Sequence, residues 1–230
     1  MENLKEFYIY GIPIDTKIGK LHFMTVREYY DFIKEGYLNC LVLTKDDLLN
    51  KFIMLEKFDE NLKVLTEILS EMNLFDFLKF IEGFSTIDEN QKQQSYIHVL
   101  GLFDLYLNFR KMFEFCFKED VFSKISTHEE FEEYRDLIIE INCIPYEKPN
   151  PNPEIEKYNQ MKRLIQKHKG ESINFESMYT SVGLVFGKDP DDMTLYKFNK
   201  YFSRLAQFKN YDTTTLFATV SSDVKIESWY

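Results

Sequence analysis

Apolar residues recur at three- and four-residue spacing through much of the chain. Leu62, Leu65, Ile68 and Leu69 form one such set, and Leu74, Phe77, Leu78 and Ile81 form the next. With 3.6 residues per turn, each set falls on one face of an α-helix. Residues 95–117 differ, being apolar on nearly every side from Val99 to Phe117, with Asp104, Asn108, Arg110 and Lys111 as the few polar exits. A helix apolar all round is buried all round, so this segment is expected to be the centre of the N-terminal core. Helix-start signals agree. Thr25-Val26-Arg27-Glu28, Thr86-x-x-Glu89 and Thr127-x-x-Glu130 are capping boxes, and Thr44-x-x-Asp47 is a weaker one. Asn152-Pro153 and Asp189-Pro190 place proline at a first helical position, where its missing N–H is harmless. Gly36, Gly170 and Gly187 stand where helices would close.

Only the N-terminus reads otherwise. Residues 7–14 form an apolar and aromatic run, residues 21–24 a shorter one, and Asp15-Thr16-Lys17-Ile18-Gly19-Lys20 between them supplies turn residues. Pro13 cannot donate to a ladder and belongs at a strand end. The expectation is a mainly α protein: a multi-helix bundle with a small N-terminal β-hairpin and a helical C-terminal subdomain. Its C-terminal helices are placed at 154–169, 173–186 and 193–208. A capped turn at Thr213-Thr214-Thr215-Leu216 and a short strand at 224–226 follow.

Domain organisation rests on prolines and charge. Four of the six prolines fall between Pro145 and Pro153, which forces extended backbone. Residues 1–150 carry 17 basic and 28 acidic side chains, whereas 151–230 carry 11 and 10. The chain is therefore divided into 1–144, a proline-rich linker 145–153, and 154–230. A net charge of −10 argues against general affinity for nucleic acid or anionic membrane. The longest stretches without a charged residue are 93–103 and 177–187, about half of the roughly 20 residues a membrane span needs. Glu2 and Lys5 do not fit a signal peptide, and the three scattered cysteines Cys40, Cys116 and Cys143 read as reduced core thiols. A cytoplasmic protein is expected.

Candidate chemistry is sparse. His22, His98, His128 and His168 lack metal-ligand spacing, and neither a nucleophile elbow nor a phosphate-binding loop occurs. Asp189-Pro190-Asp191-Asp192 is explained by a helix start, with Asp189 as N-cap, Pro190 next and two acids in the first turn. Asp191, Asp223 and Lys225 together could serve a Mg²⁺-dependent nuclease, but such a site needs its first Asp beside a core strand. No catalytic residue, metal ligand or cofactor is assigned, and the protein is read as non-enzymatic. The basic segment 157–169 is flanked by Glu154, Glu156 and Glu171 and holds only Tyr158 as a stacking ring, so it reads as a solvated helix face.

The unusual quantity is 22 Phe and 15 Tyr against a single Trp, enough to fill a core and still supply contact surfaces. Residues 193–212, followed by Thr-Thr-Thr-Leu-Phe-Ala-Thr-Val and Val224-Lys-Ile-Glu-Ser-Trp-Tyr230, carry a pattern of their own. Met193, Tyr196 and Phe198 start a helix that leads through a polar turn to Lys225, Ile226 and Trp229. This pattern resembles the ends of tail assembly chaperones of phages and prophages of Gram-positive bacteria, and the 150–158 segment is similar in feel. The resemblance implies a role in virion morphogenesis in the bacterial host cytoplasm, through binding of a tape measure or tail tube protein, with a homo-oligomer allowed. It also implies partner-binding aromatics, for which the candidates are Tyr196, Phe198, Tyr201, Phe202, Phe208 and Trp229; the alternative is that these rings form the C-terminal core. A component retained in the particle, such as a neck or tail-completion protein, is the second reading of the whole chain.

Overall fold

A computed structural model describes residues 2–56, 62–86, 101–146, 152, 154–155, 157–159, 161–162 and 174–218. Helices dominate it, and the secondary structure begins with a 3₁₀ segment, Glu2–Tyr10. Two short strands follow, β1 (Ile14–Asp15) and β2 (Lys20–Leu21). The helices are α1 (Val26–Lys34), α2 (Tyr37–Val42), α3 (Lys45–Glu56), α4 (Leu62–Glu71), α5 (Leu74–Glu82), α6 (Leu102–Phe117), α7 (His128–Ile141), α8 (Phe175–Phe186) and α9 (Leu195–Ala218). Residues 154–155, 157–159 and 161–162 are also helical.

The chain divides into two compact units. One comprises 12–24 and 28–142; the other comprises 1–11, 25–27 and 143–230. This division differs from a linear cut at 145–153, because two N-terminal pieces group with the C-terminal part.

In the first of these units the hairpin is present but shorter than expected. Ile14 pairs with Leu21 and Asp15 with Lys20, antiparallel, and β1 begins directly after Pro13. Residues 7–10, expected as strand, instead form the end of the 3₁₀ segment. An unbroken apolar run such as Phe7-Tyr8-Ile9-Tyr10 fits a helical turn as well as a strand, and here Tyr8 packs on the Tyr196 ring. The hairpin turn closes through the Thr16 N–H and hydroxyl, both donating to the Gly19 carbonyl at 3.0 and 2.7 Å. A Cβ on Gly19 would lie 2.3 Å from Glu119 Oε1, the movable end of a flexible side chain, so the positive φ of 157° is what favours glycine there.

The core of this unit is aromatic. Helix α6 buries Leu102, Tyr106, Phe109, Met112, Phe113, Cys116 and Phe117, while its expected exits Asp104, Asn108, Arg110 and Lys111 are exposed. Phe113 lies 5.6 Å from Phe122 and 5.8 Å from Phe131 between ring centroids, and Phe75 lies 5.3 Å from Phe131. Offset and tilted pairs at these distances add to area burial. Helix caps match the start signals at α3, where Asp47 and Thr44 exchange reciprocal hydrogen bonds of 3.0 and 3.1 Å. At α7 the Thr127 side chain accepts from Glu130 N–H at 3.2 Å. Glu89 of the third box and Gly170 lie outside the described residues.

Two buried polar side chains bind this core together. Asn142 accepts from Met24 N–H at 2.8 Å and donates to the Ile138 carbonyl at 2.9 Å. Arg135 donates to the carbonyls of Leu41 and Leu43, both at 2.6 Å, satisfying groups that the end of α2 leaves unpaired.

Candidate interaction surface

The other unit is built on α8 and α9, with the 3₁₀ segment Glu2–Tyr10 packed on α9. Asn174 opens α8 by accepting from Ser177 N–H at 2.7 Å, and Gly187 closes it in the left-handed conformation. The expected helix start at Asp189-Pro190 is corrected by the structure. Residues 189–194 form a turn in which Met193 N–H donates to the Pro190 carbonyl, and α9 begins at Leu195. Thr194 caps it instead, accepting from Lys197 N–H on its hydroxyl and from Phe198 N–H on its carbonyl.

The reason lies in Asp191. Its carboxylate accepts from Arg27 and from the Tyr179 hydroxyl, each at 3.0 Å, and its carbonyl accepts from Arg27 N–H. Val26 N–H donates to the Met193 carbonyl at 2.9 Å, and Thr25 bridges to Thr194. The segment 25–27 thus takes up the backbone groups that a helix started at Pro190 would have used. Partial burial, then the Asp191 carboxylate, pushes the Tyr179 phenol up from its ordinary value. Gly11 closes the same corner: its φ of 66° and a Cβ position 2.6 Å from Thr194 Cγ2 would strain any side chain placed there.

Helix α9 runs 24 residues, about 36 Å, through Thr213-Thr214-Thr215, where a new capped turn was expected. The Thr214 hydroxyl donates back to the Asn210 carbonyl at 2.7 Å, so this threonine serves the helix in place of capping a new one. Burial falls along α9. Leu195 and Phe198 are buried, Tyr201, Phe202 and Leu205 are half-buried, Phe208 is 48 % exposed and Leu216 is 69 % exposed.

The candidate aromatics therefore separate. Phe198, fully buried 5.4 Å from the Phe175 ring, is corrected from a contact residue to a core residue. Tyr196 meets Tyr8 edge-on at 5.6 Å, and Lys200 lies 5.2 Å above its ring. Tyr201 stacks on Phe186 at 4.8 Å, with Lys197 at 5.4 Å from its centroid. Phe202 is half-buried, and Phe208 is on the surface. Trp229 and the 224–226 strand lie outside the described residues.

Sequence reasoning missed a larger apolar surface beside these rings. Leu184 is 84 % exposed, and Val185 and Phe186 are exposed with it at the end of α8. Three consecutive apolar residues on a helix span 200° of its circumference, so they cannot all reach one core face, and that run was the available signal. Among the described residues no three His, Cys, Asp or Glu side chains converge as metal ligands, and no helix is long and apolar enough to cross a membrane. Asp223 and Lys225 of the nuclease reading lie outside the described residues, and Asp191 holds Arg27 and Tyr179.

Residues 2–151 match the YomV N-terminal domain and residues 188–230 the YomV second domain. The chain belongs to the YomV family. Over its whole length it is 28 % identical to the SPbeta prophage-derived protein YomV of Bacillus subtilis (strain 168), covering 88 % of that relative. No solved structure matches it. The YomV second-domain match begins at Lys188, so it takes in the Asp191 turn and all of α9.

Proposed function

We propose that this chain is a non-enzymatic phage protein that binds other polypeptides during tail morphogenesis, as a tail assembly chaperone for the tape measure protein. Its phage origin is supported by full-length similarity to a prophage-derived relative. The observation that carries the binding role is the consecutive run Leu184, Val185 and Phe186, all exposed at the end of α8, with Phe186 stacked on half-buried Tyr201 of α9. Exposed apolar side chains gathered in this way mark contact sites for other chains, whereas singly scattered ones do not. A long helical client with apolar stripes would self-associate unless covered, and such a surface covers it.

The test is co-expression with the tape measure protein of the same phage. The chaperone reading expects the client to remain in the supernatant with the wild-type chain and to precipitate with Leu184→Ser/Val185→Ser/Phe208→Ser. It also expects the chain to be absent from purified particles by mass spectrometry. Stoichiometric presence in finished particles would assign the chain to the neck or to tail completion instead.

A further inference from the structure

Helix α9 carries a second pattern beside its apolar stripe. Lys197, Lys200 and Arg204 occur at i, i+3 and i+7, which aligns three cations along about 10 Å of one ridge. Two of them are held in place, Lys197 over Tyr201 and Lys200 over Tyr196. Cations alternating with aromatic rings are also what single-stranded nucleic acid uses, through base stacking on open ring faces. Here the ring faces are taken: Tyr201 lies between Phe186 and Lys197, and Tyr196 has Lys200 above it and Tyr8 at its edge. The ridge is therefore suited to carboxylates on a polypeptide.

The same chain supplies such carboxylates. Glu129, Glu133, Asp136 and Glu140 of α7 occur at i, i+4, i+7 and i+11, and all four are exposed. They form one acidic ridge about 16 Å long, on the face opposite to buried Phe131, Tyr134, Arg135, Ile138 and Ile141. Glu130 and Glu132 lie off this ridge, paired with Lys17 and Arg135. We infer that the α9 cationic ridge of one molecule docks on the α7 acidic ridge of a second copy. Each molecule carries both faces, so two copies can exchange both contacts in a closed pair or each copy can join two others in a chain.

Salt dependence follows from two ranges of charge. The net charge of −10 makes whole molecules repel, but at about 0.1 M salt the screening length is about 10 Å. Repulsion between molecular centres is then suppressed, while ridge-to-ridge contacts at helix-packing distance persist. At about 0.5 M the contacts themselves are screened.

Sedimentation velocity on the full chain tests this, independently of any tail role. Concentration-dependent association is expected at about 0.1 M NaCl and a roughly tenfold weaker constant at about 0.5 M. Lys197→Glu/Lys200→Glu/Arg204→Glu alone and Glu129→Lys/Glu133→Lys/Asp136→Lys/Glu140→Lys alone should each block association, with circular dichroism showing both folded. An equimolar mixture of the two variants should recover association with the two alternating, because the native α9 of one matches the native α7 of the other and the two reversed ridges match each other. A wild-type monomer at every salt concentration, or association that survives either reversal, would overturn the inference. So would a mixture that stays monomeric. Capture of a single-stranded DNA oligonucleotide by the wild type, lost in the α9 variant, would assign the ridge to nucleic acid instead.

Discussion

Arg135 is 5 % exposed, yet its charge is well supported. Its guanidinium donates to the Leu41 and Leu43 carbonyls and to Glu132, and lies 5.3 Å from the Phe131 centroid. Removing one side of such a set leaves buried acceptors unsatisfied, which costs more than the net value of the bonds. Arg135→Ala should therefore destabilise the fold by about 3 kcal/mol in urea titration, and Arg135→Lys, able to satisfy one carbonyl at a time, by less. Glu82 gives a pH-dependent case. Burial pushes its carboxyl up, but hydrogen bonds from Tyr106 at 2.6 Å and Lys79 at 3.1 Å, with the Lys79 and Arg110 charges, outweigh that and hold it below the usual value. A depressed carboxyl stabilises the fold above its ordinary pKa, and that stability is lost as pH falls through the folded value. The Tyr106 phenol is pushed up to about 12 by burial and then by Glu82, so its share is lost as pH rises from about 10 to 12. Tyr106→Phe should remove about 1 kcal/mol at neutral pH and flatten both limbs of the stability–pH curve, as measured by thermal melts.

At the scale of elements, helices were legible wherever local chemistry decided them. The Thr44 and Thr127 caps formed because both partners lie within one turn. Helix α6 buried seven of the residues its pattern nominated and left Phe103, Leu105, Leu107 and Phe115 half-buried beside its polar exits. Elements decided by distant partners were not legible. The Asp189-Pro190 start failed because Arg27 and Tyr179, remote in sequence, hold Asp191 in a turn. The 7–10 run became 3₁₀ helix, a choice its sequence alone does not make. The polar Asp212-Thr-Thr-Thr stretch looked like a break, but it contains neither Gly nor Pro, and helix propensity differs by only tenths of a kcal/mol per residue. A proline substitution separates the two descriptions of this stretch. Were Thr213 the first residue of a new helix, Thr213→Pro would be tolerated, because its N–H would be unused. In the continuous α9 the same change removes an internal hydrogen bond and clashes with the preceding turn, costing about 3 kcal/mol locally. Loss of far-UV helical signal, with faster amide exchange after residue 209, is the expected result.

Across the whole molecule, the acidic and aromatic excess has separate destinations. Rings fill the core around Phe113, Phe122 and Phe131, and a smaller set remains at the surface of the α8–α9 unit, where the sequence placed candidate contacts without distinguishing Phe198 from Phe208. Pattern alone did not separate those two, because they stand about 80° apart within one broad apolar face and what packs over that face is set by distant residues. Acidic groups among the described residues lie mostly on surfaces, and Asp191 fastens the turn before α9. Its pair with Arg27 is mostly exposed on the arginine side and contributes little by itself. The Tyr179 bond and the backbone contacts of 191–193 to 25–27 supply more of the hold. An amide oxygen can still accept from Tyr179, so Asp191→Asn should stay within about 0.5 kcal/mol of wild type, while Asp191→Ala should lose about 1 kcal/mol. Hydrogen exchange should locate the alanine effect in 175–186 and 195–205, with 102–117 and 128–141 unchanged. A carboxylate that chemistry required would behave in the opposite way. Holding Mg²⁺ or activating water needs the negative charge, so Asp191→Asn would then abolish cleavage of DNA by the purified chain while leaving the fold intact. Near-wild-type stability in Asp191→Asn, with losses confined to Asp191→Ala, would identify Asp191 as the fastening of the turn before α9.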